Sequence, residues 1–325
     1  MANTGTPRIY HLYGFGTPRS VNILARVVTS RALIKPSEDK TLWQNLRAAI
    51  RRYTGKPIPG VMVKVQLGAL SHTIESDALG YVRTVMEFTG APLNDHTLKY
   101  TILGEKYDVF HETNVFINDG GADFGIISDI DDTVLVSHST TFMKKLRLML
   151  FKNAFSRIPF PGVPDFYTAL KKGKGGNSDN PLFYVSSSEW NLLDLIRDFL
   201  DFHNIPRGVF LMNEKEINLL RVWKSGKTKH EHKHDKIDQL MDTFPDMDFI
   251  LIGDSGQKDA YIYKKTAEDY PGRILAIYIR KISSGRKFEK VKSDMHRQKN
   301  DATDMLFLQK TSEAMVHARK KGFVS

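Results

Sequence analysis

The sequence predicts an α/β protein in two parts, a smaller β-rich segment followed by a parallel sheet with helices on both faces. Three observations carry that expectation. Short runs rich in β-branched and aromatic residues, separated by turn signals, fill the chain up to about Gly121. From Phe124 onward, apolar strand-like runs alternate with helical segments, the order that builds a parallel sheet. Carboxylates and hydroxyls then follow several of those runs directly, at the strand ends where open α/β sheets bind ligands. The boundaries read as 1–121 for the β-rich domain and 122–325 for the α/β domain.

In the first part, Ser20 to Val28 alternates β-branched residues, and Val61 to Leu67 alternates cleanly before Gly68. Ser76 to Gly80 reads as a turn into a strand from Tyr81 to Phe88, and Leu98 to Leu103 and Val109 to His111 complete the set. Leu42 to Tyr53 fits a short helix, stopped by Gly55, Pro57, Pro59 and Gly60. Short strands with frequent turns suggest a small antiparallel sandwich. This half offers no chemical constellation and reads as a structural or docking module.

In the second part, the strands expected are Phe124–Ile127, Leu182–Val185, Gly208–Leu211, Phe249–Ile252 and Ile274–Ile279. Helices are expected near Asp165–Lys172, Trp190–His203, Lys233–Phe244 and Lys258–Tyr270. The stretch after Arg280 is basic and reads as a terminal helix. Lys171 to Ser178 is low in complexity and reads as a loop.

Composition narrows the function classes. With 325 residues, 41% hydrophobic and 26% charged, the chain is globular and long enough for two domains. It has no cysteine, which excludes disulfides, thiolate metal sites and cysteine nucleophiles. The formal charge of +10 favours anionic partners such as phosphorylated molecules or lipid headgroups. The basic excess is diffuse and no nucleic-acid motif stands out, so nucleic acid is not an expected partner. No stretch reads as a secretory signal or a membrane span, so a cytoplasmic protein is expected, with peripheral contact at a membrane surface as a variant.

The first parallel strand runs straight into Asp129-Ile130-Asp131-Asp132-Thr133-Val134. Three carboxylates so close repel one another at a ligand-binding strand end. A hard cation such as Mg²⁺ relieves that repulsion, because it favours carboxylate oxygens and keeps waters that a phosphate can replace. Aspartates two apart can divide the work of nucleophile and proton donor; the same residues also suit an acidic turn capping a helix. Ser186 follows the second strand, and Asp254 follows the strand Phe249–Ile252 with Asp259 five residues on. Lys233 opens an amphipathic helix whose buried face continues through Ile237 and Leu240. A serine, a lysine and two sets of carboxylates at successive strand ends can surround one phosphate.

In that order, Asp-x-Asp-x-Thr, strand-Ser, helix-start Lys and Gly-Asp-x-x-x-x-Asp resemble the four motifs of the haloacid dehalogenase superfamily. The wording Ser128 to Thr133, Tyr184 to Ser188, His232-Lys233 and Ile252 to Gln257 is similar to the actin patch-associated phosphatidate phosphatase family. Phe160 to Pro164 and Ala276 to Arg280 fit the same family, and the similarity covers about Asp123 to Arg280. The resemblance implies a haloacid dehalogenase-type fold and hydrolysis of phosphatidate to diacylglycerol. It implies Asp129 as nucleophile, Asp131 as acid and then base, and Ser186 and Lys233 as holders of the transferring phosphoryl group, with Thr133 and Ser187 as further substrate contacts. It implies Mg²⁺ held by Asp129, the Asp131 carbonyl and Asp254, with Asp259 in support. Lys236 lies one turn beyond Lys233, and Lys233 is preferred because its spacing fits the family pattern. His230, His232 and His234 read as a solvated basic loop.

The insertion at about 137–159 mixes Phe142, Leu146 and Phe151 with Lys144, Lys145 and Arg147. It reads either as a small cap on its own domain or as a basic amphipathic helix resting on an anionic membrane. Two alternatives to a phosphatidate phosphatase stand beside it. One is a phosphatase of a soluble phosphometabolite or a nucleic-acid end; the other is a non-catalytic lipid- or protein-binding module.

Overall fold

The structure, a computed structural model, describes residues 6–30, 56–89, 93, 95–104, 110–130, 160–190, 193–214, 231–255, 258–281, 286–297 and 303–325. The chain divides into two compact units, Met1–Asp119 and Gly120–Ser325. The expected helix Leu42–Tyr53 and the insertion 137–159 lie outside the described residues.

The first unit holds β1 (Thr6–Thr17), β2 (Ser20–Ser30), β3 (Met62–Leu67), β4 (Leu70–Glu75), β5 (Tyr81–Glu87), β6 (Thr97–Ile102), β7 (Phe110–Asn114) and β8 (Phe116–Ile117). They form two four-stranded sheets, ordered β5-β2-β1-β8 and β4-β3-β6-β7. All pairings are antiparallel except β1 with β8. The alternation expected in β3 is real: Val63, Val65 and Leu67 are buried while their neighbours are not. These side chains join Ile9, Val21, Ile23, Val27, Leu98 and Tyr100 in one core drawn from both sheets. β1, β4 and the two-residue β8 are additions to the sequence reading. Pro7, Gly14 and Gly16 break the β1 pattern, because all three are depleted in strands.

The second unit carries six strands, β9 (Gly125–Ser128), β10 (Leu182–Glu189), β11 (Val209–Asn213), β12 (Phe249–Asp254), β13 (Ile274–Arg280) and β14 (Asp304–Leu308). Its helices among the described residues are α1 (Val163–Lys172), α2 (Leu193–Phe202), α3 (Glu231–Thr243), α4 (Asp259–Asp269), α5 (Arg286–Arg297) and α6 (Thr311–Lys321). The strands form one parallel sheet ordered β11-β10-β9-β12-β13-β14, flanked by helices. Every residue of β9 and β12 is buried, as expected of central parallel strands covered on both faces. The strand order reverses between β9 and β12. In sheets of this kind, the crevice at the carboxyl ends of such a pair is where ligands bind.

The basic tail departs from the single helix expected of it. It folds as helix, strand and helix, with β14 as the sheet's edge next to β13. Only Leu308 of β14 is buried, so an edge strand of this kind leaves little alternation to read.

Candidate active site

Two helices deliver charged groups to the sheet's switch point by the same device. On α3, Lys233, Ile237, Leu240 and Met241 form one buried stripe at helical spacing. Its first member is a lysine rather than a hydrocarbon. On α4, Asp259, Ile262, Tyr263 and Thr266 form the matching stripe, again with its first member charged. An acidic residue in the first turn of α4 also suits the positive end of the helix dipole. The apolar remainder of each stripe anchors its helix and aims the charged end at the strand termini.

The charges meet there. Lys233 Nζ lies 2.9 Å from Asp129 Oδ1 and 2.6 Å from Asp259 Oδ1. Asp259 Oδ2 accepts the backbone N–H of Asp254 at 3.2 Å. Carboxylate oxygens of Asp129, Asp254 and Asp259 all lie within 4.8 Å of one another, and all three residues are buried. Burial alone pulls the Lys233 ammonium down, and it is the largest single effect. Asp129 and Asp259, with Tyr263, together outweigh it and hold the lysine well above its ordinary range. The Lys233 ammonium also sits 5.9 Å from the centre of the Tyr263 ring, whose hydroxyl donates to the Ile252 carbonyl at 3.0 Å.

The close packing depends on Gly253, which precedes Asp254 on β12 and lies against Asp259 and Tyr263 of α4. A Cβ there would lie 2.7 Å from both Asp259 Oδ2 and the Tyr263 ring. Only glycine lets β12 approach α4 near enough for Asp259 to reach both the Asp254 amide and the Lys233 ammonium.

A cavity beside the charges is lined by Val185, Ser186, Ser187, Asn213, His232 and Lys233, with Met212 and Lys236 completing it. The pairing of β10 with β11 is irregular between Val185 and Glu189, and Ser186 Oγ accepts the Ser188 N–H at 2.9 Å. That bend presents Ser186 and Ser187 to the same space as Lys233. Lys236 is ion-paired to Glu214. Lys233, not Lys236, therefore faces Asp129. Asp131 and Thr133 lie outside the described residues, as does His230.

His232 and His234 differ from the solvated loop expected of them, because α3 starts at Glu231 and takes both into its first turn. His232 lines the cavity, while His234 Nδ1 lies 2.7 Å from Asp238 Oδ2 and its Nε2 lies 3.3 Å from Asp269 Oδ2 on α4. Asn213 was not among the residues singled out from sequence. It ends an apolar strand just as Ser186 follows one, so strand-end logic applied to Val209–Met212 finds it.

The segment that holds these residues has known relatives. Residues 124–281 match the model of the phosphatidate phosphatase APP1 catalytic domain. This segment is similar to the APP1 catalytic domain. Phosphatidate phosphatase APP1 of Saccharomyces cerevisiae is 31% identical over 156 residues, which is 48% of this chain and 25% of that protein. An uncharacterized protein of Schizosaccharomyces pombe is 27% identical over 161 residues, 49% of this chain and 25% of that protein. The chain thus spans about a quarter of the length of these curated relatives. A carbohydrate acetylesterase from Xanthomonas citri covers 88% of this chain and 73% of its own at 10% identity and a TM-score of 0.29. At that score the likeness decides nothing. The APP1-type segment contains all of the residues that meet at the switch point, from Asp129 to Asp259.

Proposed function

We propose that the chain is a Mg²⁺-dependent phosphatase of phosphomonoesters, acting on phosphatidate through an aspartyl-phosphate on Asp129. What carries this reading is the buried Lys233 held between Asp129 and Asp259, beside Asp254, in a segment of the APP1 catalytic type. The reading includes a haloacid dehalogenase-type domain, with the β-rich unit as a small sandwich.

The residues present fit a divalent cation. Three buried carboxylates lie within 4.8 Å of one another and the Lys233 ammonium pairs with two of them, which leaves two negative charges for a cation to balance. Asp129 and Asp254 would hold Mg²⁺. Asp259, with one oxygen on Lys233 and the other on the Asp254 amide, would support them. When bound, Mg²⁺ supplies charge neutralisation at the reacting phosphoryl group.

In the first step, the Asp129 carboxylate attacks phosphorus, the ester P–O bond breaks, and Asp131 gives its proton to the leaving alkoxide. In the second, Asp131 takes a proton from water, the water oxygen attacks the phosphoryl group, and inorganic phosphate leaves with the Asp129 carboxylate restored. Lys233 neutralises charge on the transferring oxygens, and Ser186 and Ser187 donate to them. Among the described residues, no helix is long and apolar enough to cross a membrane. The basic segment 137–159 has cationic and apolar groups suited to peripheral contact with anionic lipid.

The test is phosphate release with Mg²⁺ from phosphatidate in vesicles, lysophosphatidate and soluble phosphomonoesters, each with and without EDTA. Release from phosphatidate that vanishes with EDTA is expected. Release from soluble esters alone would reassign the substrate, and release from none would overturn the reading.

A further inference from the structure

β9 and β12 run in register up to the pair Ser128–Ile252, and the Asp129 N–H still donates to the Ile252 carbonyl at 2.9 Å. In a parallel ladder the next bond would join the Asp254 N–H to the Asp129 carbonyl. Each of these groups takes a side-chain partner. The Asp254 N–H donates to Asp259 Oδ2, and the Asp129 carbonyl accepts from Ser128 Oγ at 2.7 Å. Two side chains thus serve the backbone where the sheet opens.

Ser128 Oγ also lies 2.7 Å from the Tyr167 hydroxyl. A serine hydroxyl has one proton. With that proton on the Asp129 carbonyl, the Tyr167 hydroxyl is the donor in the second bond. The chain therefore has a direction: Tyr167 O–H to Ser128 Oγ–H to Asp129 C=O. Both side chains are buried, at 1% and 0% exposure. The Tyr167 ring is stacked on Tyr184, 6.5 Å between centroids and 10° between planes. Burial pushes the Tyr167 phenol far above its ordinary value, so it stays a donor.

We propose that Tyr167 and Ser128 are positioning residues whose directed hydrogen bonds fix the peptide plane of Asp129, and with it the carboxylate that faces Lys233. This rests on the reading of Asp129 as nucleophile. A strand end frays where its ladder stops, and a reacting carboxylate misplaced by about 1 Å loses about 100-fold in rate. Tyr167 touches no reacting atom in this scheme and acts only through Ser128.

The test compares Tyr167→Phe, Ser128→Ala and the double variant with wild type and Asp129→Asn. For each, kcat and KM are measured for Mg²⁺-dependent hydrolysis of p-nitrophenyl phosphate and of phosphatidate in micelles. We expect kcat to fall about 10-fold in Tyr167→Phe and about 100-fold in Ser128→Ala, with KM within about twofold. The double variant should match Ser128→Ala, because the tyrosine has no path of its own. Inhibition by orthovanadate, which resembles the transferring phosphoryl group, should weaken with kcat, while inhibition by inorganic phosphate holds. Unchanged kcat, a loss confined to KM or additive losses in the double variant would overturn the positioning role, even with Asp129→Asn inactive. A wild type inactive on every phosphomonoester would instead remove the nucleophile reading and this proposal with it. If Ser128→Ala fails to fold, Tyr167→Phe, which removes one oxygen from a stacked ring, decides by the same split.

Discussion

Asp129 lies at the end of a fully buried strand with its carboxylate on the Lys233 ammonium. Asp129→Asn keeps the size and the contact with Lys233 but removes the anionic oxygen. Turnover is expected to fall by about three orders of magnitude or more with the melting temperature little changed, measured as phosphate release and calorimetry on the same sample. Near-normal turnover would take Asp129 out of the nucleophile role. Asp254→Ala removes one of three clustered carboxylates. It is expected to weaken Mg²⁺ binding in titration calorimetry and to raise metal-free thermal stability, since like charges at this distance oppose folding. Unaltered Mg²⁺ affinity would place the ion elsewhere. Asp129 and Asp254 stood out in sequence because each closes an apolar strand, and Asp259 because it follows Asp254 by five residues. Lys233 was preferred over Lys236 on its spacing to Ile237 and Leu240; in the structure Lys236 is paired with Glu214 and Lys233 with Asp129.

At the scale of elements, the switch point is made by the meeting of β12 with α4. Gly253→Ala would put a methyl group 2.7 Å from both Asp259 Oδ2 and the Tyr263 ring. Overpacking of this kind costs about 1–3 kcal/mol. It should also shift Asp259 off Lys233, so activity is expected to fall by more than the stability loss explains. Chemical denaturation and kcat on the same variant check this, and a wild-type kcat would mean that Asp259 is not held from Gly253. The alternation of strands and helices from Phe124 to Arg280 was readable because both faces of the sheet are covered and apolar runs mark the strands. β14 was hidden by its place at the edge, and β1 by Pro7, Gly14 and Gly16. Ser128 and Tyr167 were invisible as a pair, since 38 residues intervene in sequence and only the packing of α1 on β9 brings their hydroxyls together.

For the whole molecule, buried phenols are expected to set the alkaline limit of stability. Burial raises Tyr100 in the first unit and Tyr167, Tyr184 and Tyr263 in the second. Folded values above the unfolded value of about 10 mean that their stabilising contribution is complete below pH 10 and is lost above it. Each contributes a slope of about 1.4 kcal/mol per pH unit in that window. Lys233, also raised, adds loss in the same direction above about pH 10.5. Melting temperature is expected to hold to about pH 10 and then fall steeply, with tyrosinate absorbance of the buried rings appearing only on unfolding; constant stability through pH 11 would contradict it. The change of pattern near Phe124 lies close to the division between the two units, while the part of His232 in the cavity wall needed the sheet assembled. The nucleophile is tested most directly by acid-quenching wild-type protein during turnover of phosphate-labelled phosphatidate with Mg²⁺ and mapping the label. Covalent phosphate on the peptide bearing Asp129, released by hydroxylamine and absent from Asp129→Asn, is the expected result. Rapid turnover with no label on that peptide, or label that persists in Asp129→Asn, would contradict it.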